Sequence, residues 1–321
     1  MKRFVLTLLV WGAALGVWLL PFQTAWALEV VVSIKPLHAL VAAVMGSEGK
    51  PALLIQGNVS EHTYALRPSD ARLLSRAEVV FWGGPTLEGF LVRPLENLSA
   101  RAVKVSMLEA EGVRHLPARA GGAWEEESEH DHDHGKESAG HDHEHHGPED
   151  PHVWLDPRNA LAMVQVVARA LAGRDPAGAE RYQANAAALT QRLEALDKAI
   201  EKDLIPVRKR PYIVFHDAYQ YFEHRYGLGA VGSVMVHPER PPGARRVHEI
   251  GQRIRETGAV CLFTEPQYPQ RLAESVAAGQ PVRLGVLDPL GAAIPEGPEL
   301  YFELLRGLSR ALLGCLGSGT S

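Results

Sequence analysis

The chain has 321 residues, 46% hydrophobic and 22% charged, with a formal net charge of −5 and two cysteines. That composition excludes a disordered chain and a disulfide-dense miniature fold, and the length favours two lobes over one. The charge is uneven: eleven acidic residues and one lysine lie between Glu125 and Asp150. The rest of the folded body is therefore close to neutral and gives no sign of a nucleic-acid partner.

Lys2 and Arg3 precede an apolar run from Phe4 to Leu20, and Ala25-Trp26-Ala27 follows at the distance expected of a signal-peptidase site. Residues 1–27 are expected to be a cleaved signal peptide. The mature chain then begins at Leu28, which is not the cysteine of a lipoprotein, and is expected in the periplasm. In that oxidising compartment Cys261 and Cys315 are expected to pair, closing a loop of about 54 residues and tying the last helix to a core strand.

Strand-like and helix-like runs then alternate. Val30 to Ile34, Ala52 to Ile55, Val79 to Trp82 and Ala102 to Val105 read as strands. Leu37 to Met45 and a segment from Pro68, with Ser69 as candidate N-cap, read as helices. This βαβα pattern predicts a mostly parallel sheet covered by helices. Between about 120 and 149 it breaks into a low-complexity tract containing His130, His132, His134, His141, His143, His145 and His146, too polar to build a core and read as disordered.

A helix is expected from Pro157 to about Gly173. A longer one, from Ala177 to Leu204, carries Tyr182, Ala186, Leu189, Leu193, Leu196, Ile200 and Leu204 at steps of three and four. A second array follows, with strands at Tyr212 to Phe215, Leu228 to Met235, Val260 to Phe263 and Val282 to Leu287. Its helices are expected at Asp217 to Tyr226, Gly243 to Thr257, near Pro269 to Ala278, and from Pro298 to Leu313. The fold expected is α/β: an N-terminal lobe over 28–176, a linker helix over 177–204, and a C-terminal lobe over 205–321. Each lobe would hold a four-stranded, mostly parallel sheet flanked by helices, with a cleft between the lobes.

Ligands of doubly wound sheets bind outside the carboxyl ends of the strands. Glu61 and His62, His216 and Asp217, Glu265, and Asp288 all follow strands, and His152 comes just after the acidic tract. Imidazoles with one carboxylate suit tetrahedral Zn²⁺ better than they suit Mg²⁺ or Ca²⁺. His38, His115, His224, His237 and His248 have no evident partners, and Tyr64 and Trp154 read as packing around the site. No H-E-x-x-H, G-x-S-x-G or Walker motif is present. Three histidines with an open position also fit a zinc hydrolase, but no general base tied to a substrate pocket is evident.

Five segments carry a resemblance. They are Ser60-Glu61-His62-Thr63-Tyr64-Ala65-Leu66-Arg67-Pro68-Ser69-Asp70, His152-Val153-Trp154-Leu155-Asp156-Pro157, Phe215-His216-Asp217-Ala218-Tyr219, Phe263-Thr264-Glu265-Pro266-Gln267 and Leu287-Asp288-Pro289-Leu290-Gly291. In order, and with the histidine-rich insertion, the chain resembles the high-affinity zinc uptake binding proteins of ABC importers. The resemblance implies a non-enzymatic, monomeric carrier with two lobes on a rigid helix, which captures Zn²⁺ and delivers it to a membrane permease served by a cytoplasmic ATPase. It implies His62, His152 and His216 as ligands, with Glu61 or water fourth and Asp288 as an alternative or supporting group. Manganese-selective relatives carry a carboxylate at the position of His216, so zinc is favoured. A manganese binder or a metal-dependent adhesin of the same fold is the alternative. The histidine-rich tract is expected to add weak metal sites.

Overall fold

A computed structural model of the chain describes residues 28–119, 124, 149–235 and 241–317, with the side chain of Glu48 left aside. The expected signal peptide lies outside the described residues, as does the histidine-rich tract apart from Trp124 and Glu149.

Strands β1 (Val30–Val32), β2 (Ala52–Leu53), β3 (Val79–Trp82) and β4 (Val103–Ser106) form one parallel sheet in the order β2-β1-β3-β4. Strands β5 (Tyr212–Val214), β6 (Ala230–Ser233), β7 (Cys261–Thr264) and β8 (Arg283–Val286) repeat that order as β6-β5-β7-β8, again all parallel. Both central strands are wholly buried, as continuous apolar runs such as Val-Val-Val and Tyr-Ile-Val require. In each sheet the chain reverses direction of travel between the two central strands. This opens a crevice at their carboxyl ends, one beside β1 and β3 and one beside β5 and β7.

Helices α1 (Lys35–Met45), α2 (Pro68–Arg76) and α3 (Val92–Leu98) cover the first sheet; α6 (Gln220–Tyr226), α7 (Ala244–Thr257) and α8 (Gln270–Ala277) cover the second. Gly227 (φ 68°) and Gly258 (φ 65°) end α6 and α7 in the left-handed conformation that glycine tolerates. Two local expectations need correction. The α2 cap is not Ser69: Pro68 is already helical, and the Asp70 carboxylate reaches back to accept the Arg67 amide at 2.8 Å. Helix α3 was not expected at all, since its seven residues include Pro94 and show too short a period to read.

Between the sheets run α4 (Pro157–Arg174), capped by the Asp156 carboxylate on the Arg158 amide, and α5 (Ala179–Leu204). With 26 residues, α5 is about 39 Å long at 1.5 Å per residue. Its buried residues are the seven apolar positions whose spacing predicts it. It begins two residues later than expected because Pro176–Gly178 form a 3₁₀ turn closed by the Asp175 carboxylate. Helix α5 packs on α1, α4 and the last helix, α9 (Leu300–Gly317), so elements before and after it share one continuous core. A disulfide joins Cys261 at the start of β7 to Cys315 in the last turns of α9, 54 residues away. Among the described residues no helix is long and apolar enough to cross a membrane.

Candidate metal centre

The loop after β2 carries Glu61 and His62, and the loop after β5 carries His216. His152 opens the single turn of 3₁₀ helix that leads into α4. These four side chains, from three segments far apart in sequence, converge where the carboxyl ends of the two sheets face each other. One ligand atom from each lies within 4.8 Å of the others. Glu61, His152 and His216 are buried and His62 is nearly so.

The Nε2 atom of His152 stands 3.2 Å from that of His62 and 3.4 Å from that of His216. A tetrahedral Zn²⁺ with bonds of about 2.0–2.1 Å separates its ligand atoms by about 3.3–3.4 Å. Glu61 Oε1 is slightly farther, 3.7 Å from His62 and 4.0 Å from His152, and this buried oxygen has no hydrogen-bond partner. An unpaired buried carboxylate oxygen is costly unless a cation completes it. The donor set and spacing therefore fit Zn²⁺.

The outward nitrogens fix which way the rings face. His152 Nδ1 donates to Asp150 Oδ1 at 2.7 Å, and His216 Nδ1 donates to Glu265 Oε2 at 2.7 Å. A carboxylate only accepts, so a neutral ring held in this way turns its Nε2 lone pair inward; His152 is such a ring, and His216 becomes one when it gives up its second proton. With all three rings neutral and their lone pairs turned inward, nitrogens 3.2–3.4 Å apart would repel one another, and a cation between them would remove the repulsion. The Asp150 and Glu265 carboxylates also accept the backbone amides of His152 and His216, so ring and main chain are held together.

Burial, then the neighbouring imidazoles, push His62 far below the usual imidazole range, and burial does the same to His152. Both are neutral and ready to ligate. For His216 burial also works downward, but the charge and hydrogen bond of Glu265 outweigh it and the proton is held well above the ordinary range. Burial raises Glu61 and Asp150 each to about 7.

The other expected residues have different partners. Glu265, at a strand end, holds His216 from behind. Asp288 stays outside the four-group cluster: its oxygens accept from Gln267 Nε2 (3.0 Å) and the amides of Leu290, Gly291 and Ala292 (2.6–3.1 Å). Trp154 packs edge-on to His152 with ring centres 5.3 Å apart, while Tyr64 donates to Asp70 at the start of α2. His38 meets the Pro51 carbonyl, His115 pairs with Glu149, and His224 meets Arg114. His237 lies outside the described residues, and His248 sits exposed on α7. Reasoning from sequence missed Asp150, which sat at the end of the acidic tract; its one signal was its position two residues before His152. It also missed Tyr268, whose ring packs 5.6 Å from that of His216.

Residues 30–315 match the family model described as zinc-uptake complex component A, periplasmic. A high-affinity zinc uptake system protein ZnuA from Brucella abortus (strain 2308) is 46% identical over 304 residues, covering 89% of this chain and 91% of its own. The protein of that name from Paracoccus denitrificans (strain Pd 1222) is 40% identical over 327 residues, covering 97% and 98%. A crystal structure of a zinc-bound ZnuA deletion mutant superposes with a TM-score of 0.75 at 24% identity, covering 92% of this chain and 100% of that one. Manganese-bound FpvC from Pseudomonas aeruginosa superposes at 0.74 and 20% identity, covering 92% and 100%. At such identities these structures speak for the fold alone.

Proposed function

The chain belongs to the zinc-uptake complex component A periplasmic family, and from that premise we propose that it captures one Zn²⁺ in the periplasm and delivers it to an ABC importer. His62, His152 and His216 supply three nitrogens and Glu61 the fourth ligand. The observation that carries this reading is the convergence of three imidazole Nε2 atoms near the spacing of a zinc tetrahedron, with an unpartnered buried carboxylate oxygen beside them. No bond is made or broken: the metal is cargo. Asp150 and Glu265 orient the imidazoles that receive it, and Trp154 and Tyr268 pack against two of those rings.

Residues 1–27 act as the cleaved signal, and the mature chain works as a monomer. Residues 28–176 form one lobe and 205–321 the other, joined by the helix between them, with the metal in the cleft. The histidine-rich tract, whose composition is too polar to build a core around a metal, collects zinc in weak, rapidly exchanging sites. The receiving partner is the importer's permease, coupled to its ATPase. Calorimetric titration of the mature protein with Zn²⁺ tests the reading: one tight site per chain is expected, and the absence of tight binding would overturn it. Co-purification with a membrane permease separates an importer component from an adhesin of the same fold.

A further inference from the structure

Two of the proposed ligands, His152 and His216, are fastened to each other by a stem that crosses between the two halves of the chain. Residues 114–119 lie alongside 149–150, joined by a bridge between Pro117 and Glu149 and by the Asp150 amide on the Leu116 carbonyl. This stem rests on α6. Tyr221 Oη accepts the Leu116 amide at 2.9 Å and donates to the Asp150 carbonyl at 3.0 Å, and Gln220 donates to the Pro117 carbonyl.

Arg119 closes the stem. Its Nε donates to both oxygens of Asp217 at 2.9 and 3.0 Å, its Nη2 also meets Asp217, and its Nη1 donates to Glu223 at 2.7 Å. The Trp124 ring covers the guanidinium at 3.7 Å, and the arginine side chain is 18% exposed. Glu223 is buried and accepts Tyr212 Oη at 2.9 Å from β5, the strand that ends just before His216. Arg119 therefore grips His216 from two sides, through the next residue in the chain and through the strand behind it. By contrast, the loop bearing Glu61 and His62 has an exposed bond to the second half, from Asn58 Nδ2 to the Pro266 carbonyl.

We propose that Arg119, forked between Asp217 and Glu223, is a positioning residue that keeps His152 and His216 together and so sets how long zinc stays bound. The proposal rests on the zinc reading above. Only a planar, two-pronged cation satisfies both carboxylates at once, so lysine is a partial substitute. Loosening a clamp formed before the ligand arrives raises the dissociation rate and leaves encounter unchanged.

The test is stopped-flow release of Zn²⁺ from the mature protein into excess fluorescent chelator, with association measured separately. Arg119→Met is expected to raise the dissociation rate by about tenfold or more with association within about twofold, and Arg119→Lys to fall between it and the wild type. Asp217→Asn, which removes one arm at a half-buried position, keeps the test open if Arg119→Met does not fold, and should shift the rate the same way. A dissociation rate within about twofold of wild type in a folded variant overturns the proposal, even if the melting temperature drops. So does slower release, which would mean that the freed carboxylates act on zinc by charge alone. A wild-type protein with no tight zinc site would instead overturn the zinc reading, and the clamp with it.

Discussion

Replacing Glu265 by Gln separates two effects that the carboxylate exerts on His216 with opposite sign. Glu265 accepts the His216 Nδ1–H at 2.7–2.8 Å, and with zinc bound this bond would fix the ring and make Nε2 a stronger donor. Losing such a partner costs about 10–100-fold in metal affinity. In the metal-free protein the same carboxylate holds a proton on His216 well above the ordinary range, against the pull of burial. Zinc must displace that proton, so wild-type affinity gains about tenfold per pH unit from this group alone. In Glu265→Gln burial prevails, the imidazole is already neutral, and that proton is no longer displaced. The deficit of the variant should approach its full 10–100-fold at pH 8.5 and shrink by up to about 100-fold at pH 6.5, so that the two proteins converge or the variant binds the tighter. Competition with a chromophoric chelator across this range gives the slopes. Calorimetry in two buffers of different ionisation enthalpy counts the protons, with about one fewer released by the variant. Parallel slopes would refute the reasoning.

Three further outcomes follow from the structure. Removing the disulfide with Cys261→Ala and Cys315→Ala frees a loop of 54 residues and should cost about 4 kcal/mol by chemical denaturation, with zinc affinity unchanged; a loss below about 1 kcal/mol would contradict the loop-entropy account. Glu88 is fully buried and burial raises it to about 7, so the folded state holds its proton where the unfolded chain has lost it. Its contribution to stability is therefore present below about pH 4.5 and lost as pH rises to 7. Glu88→Gln should stabilise the metal-free protein by up to about 3 kcal/mol at pH 8 relative to pH 5, and an equal effect at both pH values would count against it. Deleting residues 125–148 should leave the tight zinc site intact and lower total zinc stoichiometry at saturation, whereas unchanged stoichiometry would mark the tract as a spacer.

Much of this was legible because the chemistry and the periodicity share the same segments. The stripe from Tyr182 to Leu204 predicts α5 since a helix buried along one face must repeat apolar residues every three or four positions. Glu61, His62 and His216 could be located because each follows an apolar strand, where a doubly wound sheet exposes its crevice. What stayed hidden depends on contacts between distant segments. Glu265 and His216 are 49 residues apart, and nothing local distinguishes a carboxylate that ligates from one that holds the back of a ligand. Asp288 looked available by the same rule, yet its oxygens are taken by its own loop. Arg119 was invisible for the same reason, since its partners lie 98 and 104 residues away.

The central claim is that one zinc ion is held by the buried cluster and not by the histidine-rich tract. Elemental analysis of the mature protein after dialysis against a weak chelator tests it most directly, comparing the wild type with the triple variant His62→Ala, His152→Ala, His216→Ala. One zinc per wild-type chain and none in the variant is the expected result; a full equivalent retained by the variant would place the tight site elsewhere.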